Sequence, residues 1–177
     1  MKKALFILVF LATPVLANDL GFQFSDDAAG LAVNINSPDG KASIGLGVDH
    51  NEDDDVEIYN AGFYVNGQRG RLQGRVGVKG IYADLAKAEG PGLGFGIDLT
   101  VPSSDVFSFV FSYFYGPSST TFDDIEGYRD WKIGAEIMLF ENSALEFGVS
   151  DVEVEIENVR GDYDFQDGPY VKLKLLF

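Results

Sequence analysis

The last eight residues, Tyr170-Val-Lys-Leu-Lys-Leu-Leu-Phe177, alternate so that Val171, Leu173, Leu175 and Phe177 share one strand face while Lys172 and Lys174 share the other. Successive side chains of a strand point to opposite sides, so one face is apolar throughout and ends in an aromatic carboxylate. Such an ending resembles the closing strand of a bacterial outer-membrane β-barrel. Its four apolar residues would also be the signal read by the barrel-assembly machinery. An edge strand of a soluble sandwich alternates in the same way, so the rest of the chain has to decide.

The opposite end favours export. Met1-Lys2-Lys3 is a charged n-region, residues 4–11 are an apolar h-region, and Val15-Leu16-Ala17 offers small residues before a cut. Residues 1–17 therefore read as a secretory signal peptide, with one mature domain over residues 18–177. No later apolar run approaches the about 20 residues of a membrane-spanning helix. The sequence has no Cys, so packing or barrel closure must hold it. Its formal charge of −15 becomes −17 once Lys2 and Lys3 are removed, 11 basic against 28 acidic residues. That sign argues against nucleic acid as a partner.

Ten segments of period-2 alternation are bounded by Gly, Pro, Asn, Asp and Ser: residues 20–24, 30–36, 41–50, 56–65, 71–83, 92–101, 106–115, 129–140, 144–156 and 169–177. Their connections alternate in length. Residues 37–40, 66–70, 102–105 and 141–143 read as tight turns, whereas 51–55, 84–91, 116–128 and 158–168 read as longer, mostly acidic loops. Short turns at one end and long loops at the other, with both termini at the short-turn end, predict an antiparallel up-and-down transmembrane barrel. Ten strands are preferred and eight is the alternative.

The strand faces support a membrane. Leu93, Phe95, Ile97, Leu99 and Val101 oppose Gly94, Gly96, Asp98 and Thr100; Trp131, Ile133, Ala135, Ile137 and Leu139 oppose Lys132, Gly134 and Glu136. With the bulky apolar faces on lipid, Tyr59, Tyr82, Tyr113, Tyr115, Trp131 and Tyr170 form an interfacial aromatic girdle. The polar faces then place Arg71, Arg75, Lys79, Asp98, Lys132, Glu136, Glu146, Lys172 and Lys174 in the lumen. In a small barrel these charges of mixed sign are expected to fill the interior as an ion-pair network. The alternative is a narrow, anion-preferring conduit along Arg71, Arg75 and Lys79. Val152, Val154 and Ile156 fall out of phase with Leu145, Phe147 and Val149, which predicts a bulge or an exit from the membrane near Ser150.

An aromatic strand running from Tyr113 into Pro117-Ser118, then Phe122-x-Asp124, Tyr128 and Trp131, resembles the YfaZ-type outer-membrane protein family. The Leu145-x-Phe147-Gly148 strand, its acidic extension and the terminal Phe177 continue the likeness. The resemblance implies a barrel in a Gram-negative outer membrane and carries no catalytic motif.

His50 is the only histidine, so a two-His metal site is excluded within one chain, and neither a metal nor a cofactor is expected. A lipid-modifying site at Ser43, Asp49 and His50 would need the three in mutual reach. Adjacent residues of a strand point to opposite faces, so Asp49 cannot readily orient His50. The acidic loops, Glu52 to Asp55, Asp123, Asp124 and Glu126, or Asp162, Asp164 and Asp167, lack the spacing of a calcium loop. They are expected to be solvated, or at most to bridge weakly through divalent cations to lipopolysaccharide. The sequence thus predicts a small non-catalytic outer-membrane barrel with a structural or surface-interaction role, alternatively a narrow solute channel. A lipid-modifying enzyme and a soluble lipid-binding barrel with inward apolar faces remain as further rivals.

Overall fold

The structure, a computed structural model, describes residues 18–52, 54, 56–86, 88–157 and 162–177; the expected signal peptide lies outside these. Ten antiparallel strands close into a barrel: β1 (Asp19–Ser25), β2 (Ala28–Asn36), β3 (Ala42–Asn51), β4 (Val56–Arg69), β5 (Leu72–Leu85), β6 (Ala88–Pro102), β7 (Phe107–Gly116), β8 (Ile125–Phe140), β9 (Ser143–Ile156) and β10 (Asp162–Leu176). Each strand pairs with its sequence neighbours, and β1 closes on β10 from Asp19↔Leu176 to Ser25↔Tyr170. In the ten-stranded part, closure leaves the sheet no open edge, a condition for crossing lipid with strands.

Asn18, the first described residue, and Phe177 lie together at the end carrying the tight turns. There, Gly40 and Gly70 reverse the chain with φ of 69° and 62°, a conformation glycine adopts without cost. Asp39 accepts hydrogen bonds from the Ser37 hydroxyl at 2.7 Å and the Lys41 amide at 3.1 Å. The Ser37 hydroxyl above all, then the Lys41 amide, holds the Asp39 carboxyl below its ordinary pKa.

At the other end, three of the expected loops are shorter than the sequence reading. Strand β5 continues to Leu85 and β6 starts at Ala88; β8 starts at Ile125 and β10 at Asp162. These stretches keep period 2 but reverse its polarity. On the lower barrel the outward residues are apolar, and Phe63, Phe95 and Val171 are 56%, 51% and 47% exposed. Along β6 the outward apolar run spans residues 91–101, the length a tilted strand needs to cross the hydrocarbon layer. Beyond it, the outward residues are Glu57, Asp84 and Glu89, mutually in register on β4–β6, and Asp151, Glu153 and Glu155 opposite Asp167, Asp164 and Asp162 on β9–β10. The inward residues there are Val56, Ile58, Ile81, Ala83, Leu85, Ala88, Val152 and Val154, all buried in one cluster with Phe114, Ile125, Tyr128 and Phe165. The phase change at Ser150 is therefore an exit from the membrane: β9 keeps its pairing with β10 through Ser150↔Gly168, and the nearest register shift lies on β10 between Asp164 and Gln166.

The barrel also narrows toward this end. The β1–β2 connection at Asp26–Asp27 sits low, and above it β10 leans onto the top of β3 and the turn after it: the Asn51 side-chain Nδ2 donates to the Phe165 carbonyl at 2.7 Å, and the Tyr163 hydroxyl donates to Asp54 at 2.6 Å. Above this level eight strands, β3 to β10, carry the circumference. An eight-stranded barrel has an interior just wide enough for side chains to fill. The register shift on β10 buries both Phe165 and Gln166, and Phe165 completes the plug.

Candidate functional site

Below the plug the ten-stranded part encloses a polar cavity of about 760 Å³. It is lined from Asn36, Lys41 and Gln68 at the tight turns up to Lys79 and Asp130 beneath the plug and Phe114 at the plug's base. The lumen is thus a cup, open at the end where the termini lie and closed at the other. The expectation of a lumen filled by ion pairs needs correction. Apolar side chains fill the narrow upper part, whereas in the wider lower part the charged groups line the wall around open space.

Glycines on the inner wall set the positions of the large lumen side chains. A Cβ on Gly77 would sit 2.5 Å from the Tyr64 ring and 2.4 Å from the Phe63 carbonyl, and one on Gly96 would sit 2.5 Å from the Phe114 ring. The Tyr64 and Phe114 rings lie against backbone and meet edge to face with centroids 6.0 Å apart. Above these rings lie two cations: the Arg75 guanidinium is 4.1 Å from the Tyr64 centroid and the Lys79 ammonium 4.1 Å from that of Phe114.

Most of the wall charges are paired. Arg75 donates to Asp98 at 2.6 Å and to Asn34 at 3.0 Å. Lys79 donates to Asp130 at 2.5 Å, and Tyr128 donates to the same Asp130 oxygen at 3.1 Å. Lys174 lies between Glu136 at 2.6 Å and Glu146 at 2.5 Å, and the Tyr170 hydroxyl donates to the other Glu146 oxygen at 2.7 Å. Lys132 and Lys172 face the same cavity without a carboxylate within ion-pair distance among the described residues. Lys132 donates instead to the Gln23 side-chain oxygen Oε1 at 3.1 Å. Gln23 in turn donates to Gln166 at 3.2 Å, and Gln166 donates to Ser150, a buried chain under the plug.

The sequence reading placed eight of its nine lumen charges on the wall. Arg71 is the exception: the chain reverses at Gly70, so Arg71 sits exposed in the β4–β5 turn and the strand phase no longer applies to it. Among the girdle residues, Tyr59 faces Tyr82 and Tyr113 faces Trp131 across adjacent strands, with Tyr115 on the same outward phase. Tyr170 is not in the girdle. It shares the inward phase of Lys172 and Lys174 and is 2% exposed. The reading missed Asp49, Asp130, Tyr64 and Gln23, all of which lie on the inward phase of their strands. Val171, Leu173 and Phe177 are exposed along the seam strand.

Asp49 points into the cavity, where it accepts from Asn60 at 3.2 Å, while His50 points outward with Nδ1 4.0 Å from Glu57. The two therefore lie on opposite sides of the wall. Among the described residues, no group of three or more His, Asp or Glu side chains is placed to hold a metal ion.

The profile of the family described as YfaZ precursor matches residues 2–177. A search of curated proteins gives no match. Among solved structures, the KdgM porin aligns with a TM-score of 0.53 at 7% identity, covering 90% of this chain and 98% of that one. The NanC porin gives 0.50 at 8% identity, covering 90% and 97%. The outer membrane channel DcaP of Acinetobacter baumannii gives 0.48 at 9% identity; 89% of this chain aligns, spanning 54% of that channel. At these identities the likeness to the first two is one of fold.

Proposed function

Since the chain belongs to the YfaZ family, and its barrel is plugged at the outer end, we propose that it is a non-catalytic outer-membrane barrel that does not conduct in this state and has a structural and surface-interaction role. The observation that carries this reading is the apolar plug around Phe165, Val154, Ile58 and Phe114, each 2% exposed or less. A dry plug of this kind gives ions no hydrated path, because leaving a charge unpaired in apolar surroundings is very costly. Asp49 and His50 on opposite sides of the wall support the non-catalytic part. The test is conductance in planar bilayers. The expected result is a quiet trace at protein densities that give hundreds of insertions; reproducible unitary steps would overturn the reading.

A solute channel is the second reading. It is favoured by the polar cavity reaching to mid-barrel and by the likeness to the folds of KdgM and NanC, both porins by name. It requires the plug to leave, so unitary steps that change when Arg75 and Lys79 are neutralised would establish it.

The surface role rests on the acidic rows just above the girdle. Like charges directly opposite one another destabilise a sheet, and Glu57↔Asp84↔Glu89 and the three β9–β10 pairs are arranged in that way. Arg129 offsets part of it by pairing with Asp151 and Glu153, and divalent cations shared with lipopolysaccharide phosphates would relieve the rest. Millimolar Ca²⁺ should then raise the thermal midpoint of the purified barrel, and an unchanged midpoint would remove the idea. The seam strand, with Val171, Leu173, Leu175 and Phe177 outward, is the segment we assign to the barrel-assembly machinery.

A further inference from the structure

We propose that the cup holds a small oxyanion, the phosphate or carboxylate group of a solute entering from the periplasm, between the ammonium groups of Lys132 and Lys172. The two side chains converge on the inner face of β1. Lys132 starts on β8 and reaches past β9 and β10 to Gln23. Lys172 lies across Gly21, where a Cβ would come within 2.7 Å of its Cε. Gly21 and Gln23 are successive inward residues, so the two sites are about 7 Å apart along the strand. A tetrahedral or planar oxyanion accepting a hydrogen bond of about 2.8 Å on each side spans such a gap.

Among the described residues no wall carboxylate lies within ion-pair distance of either lysine; Asp49, which lines the same cavity near Gln23, accepts from Asn60 at 3.2 Å. Glu146, in register with Lys172, has one oxygen on Lys174 and the other on Tyr170. One oxygen of Asp130 is held by both Lys79 and Tyr128, Asp98 is held by Arg75, and Asp19 accepts from Asn34 at 2.8 Å. Two like charges therefore face an open cavity of about 760 Å³, wide enough for a solute much larger than the anion itself. The open end selects small periplasmic solutes over lipid headgroups, which lie outside the continuous wall.

The site rests on the wall of the cup and not on the plug. A barrel that conducts and binds would sink the non-conducting reading and leave this one standing, and a silent barrel that does not bind would do the reverse. The test is calorimetric titration of the folded, detergent-held protein with inorganic phosphate at constant ionic strength. Saturable binding is expected. Lys132→Gln and Lys172→Gln should each weaken it by about tenfold or more, the loss of one charged hydrogen bond. Arg71→Gln, which removes the same charge from the exposed turn, should leave it unchanged. Absence of saturable binding, or equal weakening by all three variants, overturns the site. Should a Gln variant fail to fold, the lysine side-chain nitrogen signals of the wild-type protein give the same answer. Those of Lys132 and Lys172 shift with phosphate while those of Lys79 and Lys174 stay in place; uniform shifts, or none, overturn the proposal.

Discussion

Lys79 and Asp130 show what a lumen charge costs when its partner goes. Their side chains are 12% and 6% exposed, and the ammonium lies over the face of the Phe114 ring where little water reaches. Removing one member strands the other, so Lys79→Met should destabilise the barrel by about 3–5 kcal/mol, whereas the double change Lys79→Met with Asp130→Leu should cost much less. Urea unfolding in lipid vesicles measures both; equal losses would mean that the pair is not the source of the effect. At this scale the sequence was legible wherever strand phase held. It placed Arg75, Lys79, Lys132 and Lys174 correctly because period 2 alone decides which side a residue faces. It misplaced Arg71, where the strand had already ended, and Tyr170, where chemical type was allowed to outweigh phase.

Between elements, the same strand serves two solvents. Along β9, Leu145, Phe147 and Val149 face outward in the membrane band, and one step beyond Ser150 the apolar residues Val152 and Val154 face inward while Asp151 and Glu153 face water. A substitution should therefore be judged by height as well as by face. Phe95→Arg, outward in the middle of the band, should cost about 2–4 kcal/mol. Asp164→Asn, equally outward but above it and opposite Glu153, should be neutral or slightly stabilising because it removes a like-charge pair. The same unfolding assay separates them, and similar costs would mean that the band is misassigned. The inversion was written in the sequence as the phase change at Ser150. That phase change alone leaves a bulge and a membrane exit equally open, and it does not reach the acidic stretches before Glu89 and after Asp162. There, acidic residues alternate with apolar ones in a pattern easily taken for loop.

For the whole molecule, the taper from ten strands to eight governs everything about the lumen. Strand count and termini at one end were legible from turn chemistry and loop order. The taper was not, because it depends on the low β1–β2 connection and on long-range contacts, Asn51 to Phe165 and Tyr163 to Asp54, that no local pattern encodes. Its consequence is a vessel with a polar interior facing one compartment and a dry closure toward the other. The most direct measurement is thiol accessibility. The chain has no cysteine, so Ser112→Cys places a single thiol in the cup. In proteoliposomes of one known orientation, a charged, membrane-impermeant methanethiosulfonate reagent should modify it from the side of the tight turns and leave it intact from the side of the acidic rim. Equal modification from both sides would show an open passage through the plug and contradict this account.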